Sequence, residues 1–337
     1  MIKFLKKVYL YLKFTMGAKL LTTNIDTNSG IYNKYYKKYI YPVIDKQKKP
    51  DEIIHYTDIG GFVGIIDNKE LWASHTHFLN DKTEIKYTLN LSKKIFETLC
   101  KEKGLNEEEK NKHLDVFDTI KKKLEDINEV NYFSLSFSIN PDSNLLWSNY
   151  SKNDGYNIAF NTSRLIKQLD KKQESNEEQS NDEPEQVLLC SRIFYDRVEQ
   201  ERILTELLTE IFDLLTRQDN LGDIHIEDSE DFLDAIKTLR WFSIFFKDAC
   251  FAQEEEFRIA FFYNDNYEGY HCRPSSGTFI PYIIKKFDID QKIVAGVTIG
   301  PKNNMDINLD GLRKFIKLKR IDLSPDQINV SRIPYRY

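Results

Sequence analysis

The sequence of 337 residues predicts an α+β fold, and three observations lead to that prediction. Short β-branched and aromatic segments, which are typical of strands, are separated by helical inserts of unequal length. Neither a Gly-x-Gly-x-x-Gly turn nor a Gly-x-x-x-x-Gly-Lys-Ser/Thr loop occurs, so a doubly wound nucleotide-binding fold is not expected. Apolar residues make up 41% and aromatic residues 13% of the chain, which is enough for a sizeable core.

The predicted strands and helices alternate irregularly along the chain. Strands are expected at 52–57, 70–74, 132–138, 156–160, 187–195, 257–263, 278–284 and 293–299, followed by an extended tail at 330–336. Helices are expected at 59–68, 145–150, 198–217, 229–249 and 306–315, with two more within 84–127. Because no regular crossover joins the strands, the prediction is a sheet with helical insertions.

Two helix starts carry a capping signal. Asp58 directly precedes the helix at 59–68, and aspartate is a favoured N-cap because its carboxylate accepts a hydrogen bond from a free backbone N–H. Asn80 or Asp81 is the expected N-cap of the first helix within 84–127.

The strand predicted at 132–138 shows a clean alternation. Phe133, Leu135 and Phe137 fall on one face, with serines between them, which is typical of a strand with one face in the core. The tyrosine-lysine run at 32–39 is interpreted as a helix whose aromatic face packs on the core. Interleaved lysines and tyrosines can also contact phosphates and bases, so that alternative stays open.

Charge and cysteine content argue against several broad classes. The formal net charge of −5 at pH 7 disfavours sequence-independent nucleic-acid binding over the whole surface, which depends on phosphate contacts. Local basic patches at 285–286 and 317–320 are more typical of solvated faces, although they could contact RNA or DNA. The 4 cysteines are scattered without a Cys-x-x-Cys pair, so no zinc site or disulfide framework is expected. A reduced, cytoplasmic protein is the simplest interpretation.

We expect a single domain at 51–337, preceded by a helical or irregular extension at 1–50. The extension begins with a basic amphipathic helix at 1–14, which lacks the cleavage site of a signal peptide. This helix is expected to dock on the domain, and a membrane surface or a partner groove is the alternative. No apolar run reaches the roughly 20 residues of a membrane span. Residues 171–186 contain no apolar side chain and are expected to form a mobile loop.

The stretch at 252–263 joins three consecutive glutamates to an apolar, aromatic strand. Since strand residues two apart share a face, Glu254 and Glu256 are expected on the same side. A carboxylate at the mouth of a buried strand is either solvated or a candidate acid, base or charge stabiliser. His55 and Tyr150 are further candidates that could meet these glutamates, although each alone is more typical of an ordinary structural position.

Ten short motifs occur together in an order that resembles a known family. They are residues 54–57, 71–72, 78–81, 133–137, 146–150, 155–160, 254–258, 280–282, 299–301 and 331–336. As a set they look like the bacterial domain-of-unknown-function family 2971. That family in turn looks like a distant relative of the ADP-ribosyltransferases, which have a split β-sheet core and a histidine-tyrosine-glutamate signature.

The resemblance implies NAD as the substrate and assigns roles to matching positions. His55 would bind a ribose of NAD, with Thr57 in support, and Tyr150 would stack on the nicotinamide. Glu256 would hydrogen-bond the nicotinamide ribose, and Glu254 would orient the acceptor. A fixed carboxylate suits this chemistry because cleavage of the nicotinamide–ribose bond builds positive charge on the ribose. No metal is implied.

Several assignments stay open at the level of sequence. Tyr56, Phe78 or Trp147 could stack on the nicotinamide in place of the first choice. A shift of one residue in the register of the strand would bring Glu255 into the cleft in place of its two neighbours. Arg258 is expected to pair with an acid or a phosphate.

The predicted function is an ADP-ribosyltransferase-like effector that transfers ADP-ribose to RNA, DNA or protein, as a toxin in bacterial defence against phage. Hydrolysis of NAD at the same site is a variant. The main alternative is a non-catalytic binding or regulatory protein on the same fold. The basic helix at 1–14 and the acidic loop at 171–186 would fit control by an antitoxin or chaperone partner. A nuclease has little support, because no acid cluster at metal-binding spacing stands out.

Overall fold

The computed structural model describes residues 34–79, 84–125, 131–152, 154–170, 187–219, 230–263, 267–275, 277–289, 292–303 and 307–334. The predicted helix at 1–14, the predicted loop at 171–186 and the N-cap candidates Asn80 and Asp81 lie outside these residues. Among the helices that are described, none is long and apolar enough to cross a membrane.

The described residues form strands and helices of mixed order, which confirms the α+β class. The strands are β1 Glu52–Thr57, β2 Glu70–His75, β3 Asn131–Ser138, β4 Tyr156–Asn161, β5 Val187–Arg192, β6 Glu256–Tyr263, β7 His271–Ser275, β8 Thr278–Lys286, β9 Val294–Ile299 and β10 Ile328–Val330. The helices are α1 Ile59–Asn68, α2 Glu84–Glu102, α3 Glu107–Glu125, α4 Asn144–Tyr150, α5 Thr162–Leu169, α6 Arg197–Asp219, α7 Glu230–Phe245 and α8 Asn308–Leu318. A π-helix covers Tyr36–Asp45.

The described strands make one 10-stranded sheet that divides at β3. Along one edge, β3 pairs with β6 over its whole length. The other edge is shared, because β1 pairs with β3 at Ser138 and β2 pairs with it at Ser134 and Phe133. From there β1 continues to β4, β9 and β10, while β2 continues to β8 and β7. The two halves of the sheet therefore separate beside Ser136.

Each face of the sheet is covered by its own hydrophobic core. Phe133, Leu135 and Phe137 of β3 lie in the core that also contains residues from α1, α5 and α8, which confirms the predicted alternation. The opposite core contains apolar residues from the π-helix and from α2, α3, α6 and α7. Neighbouring residues of β6 point into different cores, since Ile259 belongs to the first and Ala260 to the second. This two-sided burial explains why β6 is almost continuously apolar.

Two local predictions are confirmed in detail. Asp58 caps α1, because its Oδ1 accepts a hydrogen bond from the backbone N–H of Gly61 at 2.8 Å. Tyr36 and Tyr39 of the π-helix are buried in the core, as expected for an aromatic helix face in the run at 32–39. Both rings belong to the core that contains residues from α2, α3, α6 and α7.

Other boundaries differ from the sequence-based expectation. The helix predicted at 229–249 ends at Phe245, because Phe246 forms a β-bridge with Phe194 and Asp248 caps a separate 3-10 helix, Ala249–Glu254. Helix α5 and strand β7 were not predicted. Strand β7 contains Pro274, which removes a backbone donor and is tolerated at the edge of a sheet.

Candidate functional site

A cavity of about 400 Å³ lies where the two halves of the sheet separate. Its walls come from β1, β2, β3, β6, β7 and β8, together with the segments that contain Tyr150 and Lys247. One end holds four charged side chains, which we call the charged cluster: Lys247, Glu254, Glu256 and Arg258. A concave site that gathers titratable groups is where ligand binding or catalysis is expected.

The floor of the cavity is formed by the serines that alternate with the core residues of β3. Ser138 donates its hydroxyl to the backbone carbonyl of Glu254 at 2.9 Å, which ties β3 to the segment before β6. Ser136 hydrogen-bonds the carboxylate of Glu256. Ser134 is buried and lines the other end of the cavity. The serines were missed as site residues, although their spacing on a predicted half-buried strand is the signal that could have identified them.

Glu256 is the first residue of β6 and is only 5% exposed. Its Oε1 accepts hydrogen bonds from Arg258, at 2.9 Å from Nε and 2.7 Å from Nη2, and its Oε2 lies 3.2 Å from the Nζ of Lys247. Burial by itself would raise the pKa of Glu256, but the two cations and the Ser136 hydroxyl lower it overall. The carboxylate is therefore ionised at neutral pH. The expected pairing of Arg258 with an acid is confirmed.

Glu254 is the more accessible carboxylate of the cluster. It ends the 3-10 helix before β6, and its side chain is 13% exposed. Its Oε2 accepts from the Nζ of Lys247 at 2.7 Å, and its Oε1 accepts a longer hydrogen bond of 3.3 Å from the hydroxyl of Tyr150. Glu254 thus presents one weakly bonded oxygen to the cavity.

Glu255 lies outside the cavity. Its backbone has φ +45°, in the left-handed region, which turns its side chain away from the directions of both neighbours. The carboxylate is exposed and accepts a hydrogen bond from Asn140 Nδ2 at 2.6 Å. This local turn resolves the register that the sequence left open, and it places Glu254 and Glu256 together in the cavity.

His55 lines the cavity from β1. Its ring packs edge-on against Phe137 with centroids 5.7 Å apart, and it hydrogen-bonds the backbone carbonyl of Ser136. Desolvation lowers the pKa of His55, and the carbonyl opposes that shift only in part. The imidazole is therefore neutral at neutral pH, with one N–H directed to the backbone and the other nitrogen able to accept a hydrogen bond.

The aromatic candidates separate into rim and core. Tyr150 is 38% exposed and lies at the rim of the cavity. Phe78 also lines it. Tyr56 lines the cavity too, but its hydroxyl is already used: it donates to the carbonyl of Asn140 at 2.7 Å and accepts from the N–H of Ser143 at 3.0 Å. Tyr56 therefore braces the wall instead of offering a free hydroxyl.

Two predicted ligand contacts are corrected. Trp147 is fully buried, its Nε1 donates to Asp142 at 2.7 Å and its ring packs edge-on against Tyr56, so it is a core residue that does not line the cavity. Thr57 does not line the cavity either, because its hydroxyl lies against the start of α1. A Cβ placed on Gly61 would come within 2.0 Å of that oxygen.

Several cavity residues were not predicted. Lys247 follows α7 in an aromatic segment, and no sequence signal distinguishes it from a solvated lysine. Trp72 and Arg273 reach the cavity from β2 and β7. Within the described part of the chain, no group of three or more His, Cys, Asp or Glu side chains is placed to hold a metal ion.

Residues 146–259 match the family described as Protein of unknown function (DUF2971). The resemblance to this family is thereby confirmed over about a third of the chain. The DUF2971 match includes Tyr150, Lys247, Glu254, Glu256 and Arg258, so it covers the charged cluster, whereas the β1, β2 and β7 walls lie outside it. No curated protein and no solved structure matches the chain.

Proposed function

We propose that this protein is an ADP-ribosyltransferase-like enzyme that cleaves NAD and transfers ADP-ribose to a nucleic-acid or protein acceptor. The observation that carries the proposal is the convergence of Glu254, Glu256 and His55 on one cavity at the point where the sheet divides. A sheet divided in this way is similar to the split core that the sequence resemblance implies. The residues that match the histidine and glutamate positions of the family signature meet there.

The proposed reaction breaks the bond between the nicotinamide nitrogen and the ribose carbon. The bonding electron pair stays on the nicotinamide nitrogen, which becomes neutral, and positive charge develops on the ribose. An acceptor nucleophile then bonds to that carbon and loses a proton. The ionised carboxylate of Glu256, fixed by Arg258 and Ser136, would stabilise the charge on the ribose without having to reorganise.

The other residues fit supporting roles. Neutral His55 can hydrogen-bond a ribose hydroxyl through its free ring nitrogen. Tyr150 at the rim offers an aromatic face to the nicotinamide and hydrogen-bonds Glu254. Glu254, with its weakly bonded oxygen, would orient the acceptor and take its proton. These donor and acceptor groups support the proposal that the cavity binds a ribose of NAD.

A second function is favoured by one specific observation. Both carboxylate oxygens of Glu256 already have cationic partners, Arg258 on one and Lys247 on the other. A charge-balanced cluster of this kind also suits a protein that binds a ligand and does not turn it over. The alternative is therefore a non-catalytic regulatory protein that uses the same cavity. A third possibility is an enzyme that cleaves NAD but transfers the ADP-ribose to water.

The deciding experiment incubates the protein with NAD labelled in its adenylate half, with and without a bacterial lysate. We expect release of nicotinamide and transfer of label to RNA, DNA or protein. Glu256→Gln should lower the rate by about a hundredfold or more, as does removal of one charge-stabilising group from a preorganised site. Glu254→Gln should reduce transfer more than it reduces nicotinamide release.

Glu255→Gln is the matched control, because it removes a neighbouring carboxylate that lies outside the cavity. It should keep the activity of the parent protein. Circular dichroism of each variant would show that the fold is retained. Equal activity of Glu256→Gln and Glu255→Gln would contradict the catalytic proposal, and NAD binding without nicotinamide release would support the regulatory alternative.

In the cell, this activity would act as a toxin in defence against phage, held in check by an antitoxin or chaperone. Expression in bacteria should then arrest growth. The arrest should be lost in Glu256→Gln and kept in Glu255→Gln. Growth arrest of equal strength in both variants would show that toxicity does not depend on the proposed chemistry at Glu256.

A further inference from the structure

The end of the cavity opposite the charged cluster carries polar atoms that lack partners. Ser134 is 3% exposed, and its Oγ has no hydrogen-bond partner among the described residues. In the same part of the structure, the Nε of Arg273 is buried and unpaired, while its Nη2 donates to Ser74 Oγ at 3.1 Å. Because nearly all buried polar groups in proteins are satisfied, unpaired atoms at a cavity wall indicate a place for a ligand.

Among the described residues, the guanidinium of Arg273 also has no acidic partner. It makes no ion pair within the described ranges, in contrast to Lys247 and Arg258 at the other end of the cavity. Ser74 and Ser134 are directly opposite each other on β2 and β3, so their hydroxyls lie side by side next to this cation. A guanidinium beside two hydroxyls suits the oxygens of a phosphate group.

Next to this polar group lies a row of rings that we call the aromatic platform: Trp72, Tyr282 and His271. The Trp72 ring stacks on Tyr282 with centroids 4.5 Å apart and an interplanar angle of 26°, and the ring of His271 lies 5.6 Å beyond Tyr282. The Trp72 indole is oriented by a hydrogen bond from Nε1 to Glu70 at 2.9 Å. Trp72 is nevertheless 44% exposed and lines the cavity, so part of its ring is available for stacking.

The strand register places the platform and the polar group on one face. Tyr282 pairs with Ser74 on one side and with His271 on the other. Arg273 pairs with Ile280, and each is two residues away along its strand, on the same face. Strand β7 ends this half of the sheet, so the platform opens towards solvent at the edge. A ring bound there would lie beside Arg273, Ser74 and Ser134, and the rest of a longer ligand could extend from the cavity into solvent.

We propose that this end of the cavity binds one nucleotide of a single-stranded nucleic-acid acceptor. The base stacks on the aromatic platform, and the phosphate binds Arg273 with the hydroxyls of Ser74 and Ser134. A single strand is required, because a base must be unstacked and unpaired to lie on a protein ring. The inference deepens the proposed function, since it names the acceptor that would receive the ADP-ribose.

Binding can be measured without NAD, using fluorescently labelled DNA and RNA single strands of about twelve nucleotides and a duplex as comparison. Trp72→Ala should weaken single-strand binding by roughly tenfold or more, as is typical for loss of a base-stacking ring. Trp72→Phe keeps a ring and should recover most of the affinity. Arg273→Gln should weaken binding and reduce the slope of log K against log salt by about 0.7, as expected for the loss of one phosphate contact on a single strand.

Phe279→Ala is the matched control. Phe279 is a 71% exposed ring on the same strand as Tyr282, and the odd spacing of three residues puts it on the opposite face. Intrinsic fluorescence gives a second measurement: of the 3 tryptophans in the chain, Trp147 and Trp241 are buried, so quenching by the oligonucleotide reports chiefly on Trp72.

The outcomes separate this proposal from the proposed enzymatic function. Unchanged oligonucleotide affinity in both Trp72→Ala and Arg273→Gln would overturn it, as would equal loss in Phe279→Ala. If the two variants raise only the KM for NAD, the platform holds the adenosine half of NAD and the acceptor assignment fails. If oligonucleotide binding depends on Trp72 but no nicotinamide is released, the binding site stands and the proposed transferase activity fails.

Discussion

The two ends of the cavity differ in how their polar groups are satisfied. At the charged cluster, buried Lys247, Glu256 and Arg258 lie with the partly exposed Glu254, and each of the four has an oppositely charged partner within 3.2 Å. At the aromatic platform, the cation Arg273 has no acidic partner among the described residues, and the largest ring is half exposed. The charged groups are thus paired with one another at one end of the cavity, whereas a cation and a ring remain available to a ligand at the other.

This difference has a physical basis. An ionised group out of water is costly unless it is paired and hydrogen-bonded, so Glu256 cannot lie at the buried start of β6 without Arg258 and Lys247. Trp72 stays near water, where a hydrophobic ring and a guanidinium can remain uncovered at moderate cost. Removing one partner from the charged cluster should therefore destabilise the fold more than a change in the platform, which should contribute to binding and little to stability.

The largest expected effect on stability is that of Arg258→Met. Removing the guanidinium leaves Glu256 partly uncompensated and breaks the 2.6 Å hydrogen bond from Nη1 to the carbonyl of Ile244. Breaking a buried ion pair typically destabilises by about 3–5 kcal/mol. The free energy of unfolding in urea at neutral pH would measure the loss.

The double variant Arg258→Met with Glu256→Met tests the cause of that loss. Replacement of both partners by apolar side chains of similar size should recover part of the stability, because no charge remains buried alone. A double variant less stable than Arg258→Met would show that the hydrogen bonds of the pair contribute more than its charges.

A smaller effect is expected from the pH dependence of His55. Because burial lowers its pKa in the folded state, the unfolded chain binds more protons as the pH falls below the ordinary value of about 6.5. Stability should therefore decrease between about pH 7.5 and about pH 5.5, a range that lies above the titration of the carboxylates. His55→Gln should remove part of this slope.

The control for His55→Gln is His271→Gln, which replaces an exposed histidine at the other end of the cavity. Urea unfolding at both pH values would measure the slope for each protein. An unchanged slope in His55→Gln would mean that burial of this imidazole does not determine the acid sensitivity of the fold.

The smallest expected effect on stability is that of Trp72→Ala. Its ring stacks on Tyr282, and such ring pairs contribute about 1 kcal/mol, so the loss should not exceed that amount. Thermal unfolding would test this. A loss as large as that of Arg258→Met would contradict the contrast between the two ends, because it would make the platform a structural element of the core.

Much of the fold could be predicted because its signals are local. The alternation of Phe133, Leu135 and Phe137 identifies β3 by itself. Asp58 marks the start of α1 through a hydrogen bond with Gly61, which is only three residues away in sequence. Strand β7 shows the limit of local signals. Pro274 weakens the strand pattern of β7, which exists because β8 lies beside it.

The candidate site was predicted in part. His55, Tyr150, Glu254 and Glu256 were singled out as residue types with chemistry to offer, and all line the cavity. Trp147 was also singled out, but a tryptophan looks the same in sequence whether its ring meets a ligand or, as here, the core. Lys247 could not be recognised, because its role depends on two glutamates that face it in space.

The sequence by itself determined the α+β class, the positions of most strands and the presence of carboxylates before an apolar strand. These features depend only on the spacing of apolar residues and on residue type. Only the tertiary structure decided which carboxylates enter the cavity. The left-handed turn at Glu255 directs Glu254 and Glu256 inward, and the divided pairing of β3 opens the space that they face. The pairing of β3 depends on hydrogen bonds between strands far apart in sequence, and the turn at Glu255 is held by the N–H of Ile139, which donates to its carbonyl at 3.0 Å. No local pattern encodes either contact.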